Sequence, residues 1–241
     1  MPIFKRIARF TFWSAVVCTL QSACLTVPAW AQGEVCTGAP PSSVKVNALL
    51  APVEFDLEKT ISELTQLSSG AADSTGNRNR AALSFYEAKT GVRSSIKAGG
   101  RNVSPGGVCV VVRAIDVHFG ITERKVLLAR EILDNACVRD FVAAREQRRA
   151  TVDDAVLRLY VVQLQETLSL ELSGGLAIKA ATSGEAMEVL KRILDARLQQ
   201  AVEEFFARRE EAQSAMHDKD EVNALERACG PGVRSRFERS K

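Results

Sequence analysis

Histidine is nearly absent from this chain. Its 241 residues hold 2, His118 and His217. So little imidazole leaves few ligands for zinc, which is usually held by histidine and cysteine. A Ser-His-Asp triad would have to recruit one of the two, and both read as surface residues. No G-x-S-x-G elbow presents a serine nucleophile. The glycine-rich stretch "GGRNVSPGG" lacks the lysine and the following helix of a phosphate loop. Cysteines are never spaced C-x-x-C. Both tryptophans, Trp13 and Trp30, fall in the first 31 residues. Beyond that segment no apolar run reaches the ~20 residues that a membrane-spanning helix needs. Between Cys137 and Ser173 there is neither glycine nor proline, which leaves nothing to break a helix.

The N-terminus has the pattern of a signal peptide. Lys5, Arg6 and Arg9 precede the apolar run "FTFWSAVVCTL", and Ala29 and Ala31 occupy the small-residue positions of a cleavage site. Residues 1–31 are therefore expected to be removed on export to a periplasm or beyond. The formal charge is +3. The segment carries three of the cations and no acid, so the remainder is close to neutral. A neutral chain sets up no long-range field for nucleic acid, which is not an expected partner. No transmembrane anchor is expected once the segment is gone.

Residues 32–241 retain Cys36, Cys109, Cys137 and Cys229. An even count in an oxidising compartment reads as two disulfides. Four cysteines allow three pairings, and geometry has to decide among them.

The strand signal is strongest in "CVVVRAIDVHFGITER". There Ile115, Val117, Phe119 and Ile121 alternate with Asp116, His118 and Gly120, as in a strand with one buried and one wet face. "VKVNALL" and "PVEFD" read as shorter strands. Asp56 is placed to cap a helix that carries Leu57, Ile61 and Leu64 on one face. "AALSFYEAKTG" and "VRSSIKA" read as the two arms of a hairpin.

From Asn135 the period becomes helical. Leu157, Val161, Leu164 and Leu168 keep helical spacing, and Ser173, Gly174 and Gly175 end the run. Thr182 and Glu185 form a capping box for a second helix, whose stripe is Leu190, Leu194, Leu198, Ala201 and Phe205. Asp218 opens a short last helix ending at Cys229-Gly230.

These elements predict an α+β fold. A small, mostly antiparallel sheet (44–133) packs on a long antiparallel helical hairpin (135–229). Residues 32–230 make one domain and 231–241 a basic disordered tail. Equal rise per residue in the two helices sets Cys137 near residue 219 and favours Cys137–Cys229, leaving Cys36–Cys109. The other pairings stay open at this point.

The stretch "CVRDFVAAREQRRATVDD" carries the chemical question. Zincins present H-E-x-x-H on a helix, with two histidines one turn apart and a glutamate that polarises the metal's water. Here the five places read Arg145-Glu146-Gln147-Arg148-Arg149. With Cys137 upstream and "MHDKDEVNALERAC" near the end, residues 44–230 resemble bacterial exported zincin-like proteins of uncharacterised function. The resemblance implies that Arg145 and Arg149 stand where the metal ligands would be and that Glu146 alone matches. Arginine stays protonated and has no lone pair to give. A metal-free, non-enzymatic binding or assembly protein is therefore expected, with no cofactor and with a protein or peptide partner. The alternatives are a hydrolase using Glu146 alone and a purely structural helical-hairpin module. The helix register sets Arg145 and Arg149 opposite Glu210 and Glu211. Those acids, the groove beside them and the wet strand face at Asp116 and His118 are the candidate binding surface.

No free thiol is expected among Cys36, Cys109, Cys137 and Cys229. Titration with a thiol reagent before and after denaturation, without reductant, checks this.

Overall fold

A computed structural model describes residues 36, 39–70, 81–103, 106–216, 221–233 and 235. These belong to one compact unit, 33–241. The signal segment, His217, Asp218 and residues 236–241 lie outside the described residues.

The longest strand organises the sheet. Strand β4 (Val108–Leu128) carries β3 (Ser84–Asn102) antiparallel along one side. Along its other side lie β5 (Ala177–Ala180), β1 (Ser43–Leu50) and β2 (Val53–Asp56), end to end. β1 and β2 keep one register on β4, Leu50 facing Ile121 and Val53 facing Arg124. They are one strand interrupted at Ala51-Pro52, where proline has no N–H to give the ladder.

The expected mostly antiparallel sheet is corrected here, because β1 and β2 both run parallel to β4. Parallel neighbours are joined by long crossovers, so no local turn signal announces them. The expected helical hairpin is corrected as well. Between helices α2 (Ala136–Glu171) and α3 (Ser183–Ala215) the chain returns to the sheet as β5. The predicted hairpin at Gly91 is instead unbroken β3. Gly91 pairs with Gly120, and a Cβ on it would lie 2.6 Å from the Thr122 methyl. Glycine serves close packing there rather than a turn. Gly120 is equally constrained: its φ is 152°, and a Cβ would sit 2.1 Å from the Leu49 carbonyl oxygen.

Helix α1 (Ile61–Gly70) buries Ile61 and Leu64 as predicted. Its cap is Thr60 rather than Asp56. Glu63 N–H donates to Thr60 Oγ1 (3.1 Å), and Thr60 N–H donates to Glu63 Oε2 (2.7 Å). Leu57 remains exposed. At α3 the predicted capping box of Thr182 and Glu185 is present, and all five stripe residues are buried.

The main core lies between the inner sheet face and the two long helices. Phe119 of β4, Tyr160 of α2 and Phe205 of α3 form a triangle of rings with centroids 5.4–5.5 Å apart. One aromatic from each layer meets there, so each ring fixes the distance between the other two elements. Tyr160 donates its hydroxyl proton to the Ala201 carbonyl (2.8 Å). A second cluster joins α1, the end of β4, the start of α2 and helix α4 (Glu221–Cys229). Val233, within the expected tail, is buried in it.

Both disulfides form with the favoured pairing. Cys36–Cys109 spans 73 residues and Cys137–Cys229 spans 92. The first fastens the N-terminal segment to β4, and the second fastens α4 to the first turn of α2.

Phe119→Ala is expected to cost about 3–5 kcal/mol in urea unfolding, because it empties the centre of the ring triangle. Reducing Cys137–Cys229 alone, as in Cys137→Ser with Cys229→Ser, should lower stability by roughly 4–5 kcal/mol if chain entropy dominates. The same denaturation series measures it.

Candidate functional site

The buried face of α2 reads Val138, Val142, Glu146, Ala150, Asp153, Leu157, Tyr160, Leu164, Leu168. Steps of three and four residues keep them on one side of the helix. Two of the nine positions are carboxylates, and both Glu146 and Asp153 are fully buried. An ionised group there has to be matched by donors.

Glu146 is matched from both sides. Ser84 of β3 donates its hydroxyl to Oε1 at 2.6 Å. Arg145 donates Nε to Oε1 at 2.9 Å, and its Nη2 donates both to that oxygen and to the Ser84 hydroxyl. Arg149 Nη1 lies 3.4 Å from Oε2. Burial is the largest influence on the Glu146 carboxyl and opposes its ionisation. The charges of Arg145 and Arg149 and the hydrogen bonds from Ser84 and Arg145 together outweigh it, and hold the group below the usual carboxylate range.

Asp153 repeats the arrangement two turns later. Tyr86 of β3 donates its hydroxyl to Oδ2 at 2.8 Å. From α3, Arg209 Nε (2.8 Å) and Gln213 Nε2 (2.7 Å) donate to Oδ1. Gln213 also bonds the Arg149 carbonyl at 2.8 Å, linking the two clusters. Burial, followed by the Asp153 charge, pushes the Tyr86 phenol well above its ordinary value. Beside them Arg124, only 7% exposed, donates Nε to the Ala51 carbonyl and pairs with Asp154 at 2.5 Å. The polar, paired layer between sheet and α2 thus lies between the two apolar clusters, with Val138 and Val142 on one side and Leu157 to Leu168 on the other.

Arg145 and Arg149 do flank Glu146, at the positions given by the sequence pattern. The acids expected opposite them do not arrive. Glu210 and Glu211 are exposed, while Gln213 meets Arg149 and Arg209 meets Asp153. The connector is not a symmetric turn, because part of it extends as β5, and counting equal rise from its middle misplaces α3. Among the described residues no three His, Cys, Asp or Glu side chains converge as a metal site would require.

Sequence reading missed Ser84, Tyr86, Asp153, Arg209 and Gln213. Asp153 was within reach: carrying the Leu168, Leu164, Leu157 stripe backwards passes through it and Glu146. The stripe takes Tyr160, while Val161 is only half-buried.

On the opposite face of the sheet Asp116 is half-buried and His118 exposed. Asn47 donates to Asp116 Oδ1 at 2.7 Å, and His118 Nε2 is 3.7 Å from the same oxygen. The exposed cations Lys45, Arg93, Lys97 and Arg113 share this face by register.

No family model, curated protein or solved structure matches the chain. Among the described residues no helix is long and apolar enough to cross a membrane.

Glu146→Ala is expected to destabilise by roughly 2–3 kcal/mol, because the charged hydrogen bonds of a fully buried carboxylate are lost while Arg145 and Arg149 stay only half-buried. A lowered folded pKa gives stability that is complete above the ordinary glutamate value of 4.5 and is lost as pH falls through the folded value. Glu146→Gln should therefore flatten the acid limb of stability against pH below about pH 4.5, while Ser84→Ala should keep the limb but weaken it. Urea unfolding across pH 2–7 distinguishes them.

Proposed function

We propose that the chain is an exported, metal-free, zincin-like protein that works by binding or assembly and not by catalysis. One observation carries the reading: the Glu146 carboxylate is out of water and held by Ser84, Arg145 and Arg149. A hydrolytic base works best with a pKa near the operating pH and must reach a water. Glu146 is shifted in the opposite direction and is enclosed. Arginine at both ligand positions supplies no lone pair for zinc. The guanidinium groups neutralise the glutamate internally, so the cluster locks α2 onto β3.

Export is supported by the N-terminal signal pattern and by two disulfides, which persist in oxidising compartments. Binding falls to the exposed surfaces, among them the wet sheet face around Asp116 and His118. Zincin kinship rests on the two sequence patches.

Purified native chain is expected to carry sub-stoichiometric zinc by elemental analysis and to leave a fluorogenic peptide panel uncut. Turnover that disappears in Glu146→Gln, or one zinc per chain at α2, would overturn the proposal. A second arm tests descent: Arg145→His with Arg149→His should gain a zinc-dependent rise in Tm if the helix is a former metal site. No rise removes the kinship and leaves the binding role standing.

A further inference from the structure

β3 is an edge strand. It bonds to β4 on one side, and among the described residues no strand pairs with its other side. A row of free backbone donors and acceptors is a template for another strand, and proteins usually spoil such edges with irregularities, proline or inward charge. β3 has two register shifts, at Lys89/Thr90 and Lys97/Ala98. They bracket a regular run, residues 90–97, that contains no proline.

Beside that run lies a groove of about 530 Å³ between β3 and α3. Val92 and Ile96 line it from the strand, and Met187 and Leu198 from the helix. Val92, Ile96 and Met187 are half-buried, so the floor is apolar and reachable. Lys191 and Asp195 stand exposed on the helix rim, and Arg93 on the strand. Lys97, one residue beyond, adds another exposed cation. By register Arg93 and Lys97 belong to the wet face of the sheet, so the helix rim is balanced, Lys191 against Asp195, and the basic charge at this edge lies on the outer side of β3.

We propose that an extended, acidic peptide segment of a partner protein adds to the β3 edge along residues 92–96, between β3 and α3. Its backbone completes the ladder. Alternate side chains are then apolar and drop onto Val92, Ile96, Met187 and Leu198, because side chains alternate along a strand. Carboxylates on the outward positions meet Arg93 and Lys97 on the wet face. Backbone pairing supplies affinity and the alternating pockets supply selectivity, as in other strand-addition sites. The proposal rests on the binding reading above and names its partner class.

The test uses the full disulfide-bonded chain panned against a displayed library of random decapeptides. Enriched sequences should lack proline, alternate apolar residues and carry acids. The leading peptide is then titrated by fluorescence polarisation. Arg93→Glu and Met187→Glu, each shown folded by its thermal melt, should weaken it at least tenfold. N-methylation of the peptide should abolish binding at every second amide and leave the intervening ones unaffected. No enrichment, unchanged affinity in both variants, or N-methylation effects without alternation would each overturn the proposal. So would a concentration-dependent dimer lost in Arg93→Glu with no peptide captured, which makes the occupant a second copy of this chain. Glu146-dependent peptidase turnover, by contrast, sinks the non-enzymatic reading and leaves the groove untouched.

Discussion

Two carboxylates sit where leucines would be expected on α2, and the arrangement of this end of the molecule follows from satisfying them. Glu146 and Asp153 are fully buried. Either one left unmatched would cost several kcal/mol. The matching groups come from three elements: Ser84 and Tyr86 from β3, Arg145 and Arg149 from α2 itself, and Arg209 and Gln213 from α3. Hydrogen bonds are directional, whereas apolar packing tolerates sliding. The cluster therefore fixes the rotation of α2 and its register against α3. Such pairing adds little net stability over a well-packed apolar core. We regard its contribution as specificity of arrangement.

The same constraint bears on chemistry. In a zincin, the residue between the two ligands faces a metal-bound water. Here Glu146 faces a serine hydroxyl and two guanidinium groups. Two guanidinium groups share this one carboxylate, so its charge is more than matched without an ion. The site is occupied by its own side chains, which moves attention to surfaces that are open: the basic sheet face and the β3 edge beside α3.

β4 gives those surfaces their geometry. One strand of 21 residues is the shared partner of all four others. Its side toward β1 is filled end to end, and the far side of β3 is left open. Phe119, near the middle of β4, contacts rings from both long helices, so the spine and the core share a centre.

Much of this was legible locally. The favoured cysteine pairing forms although the count of rise behind it misplaces α3. The α3 stripe, the Thr182–Glu185 capping box and the alternation of Ile115 to Ile121 each depend on residues close in sequence. The parallel placement of β1 and β2, the return of β5 to the sheet and the unbroken course of β3 through Gly91 do not. They depend on which distant segment supplies the next row of hydrogen bonds, and glycine reads the same in a turn as in a close strand crossing. Likewise the sequence showed that Arg145 and Arg149 cannot hold a metal, because protonation is a property of the side chain alone. That Glu146 is buried, and that Ser84 reaches it from 62 residues away, was settled only by the packing of β3 against α2, since burial belongs to the assembled layers and to no residue by itself.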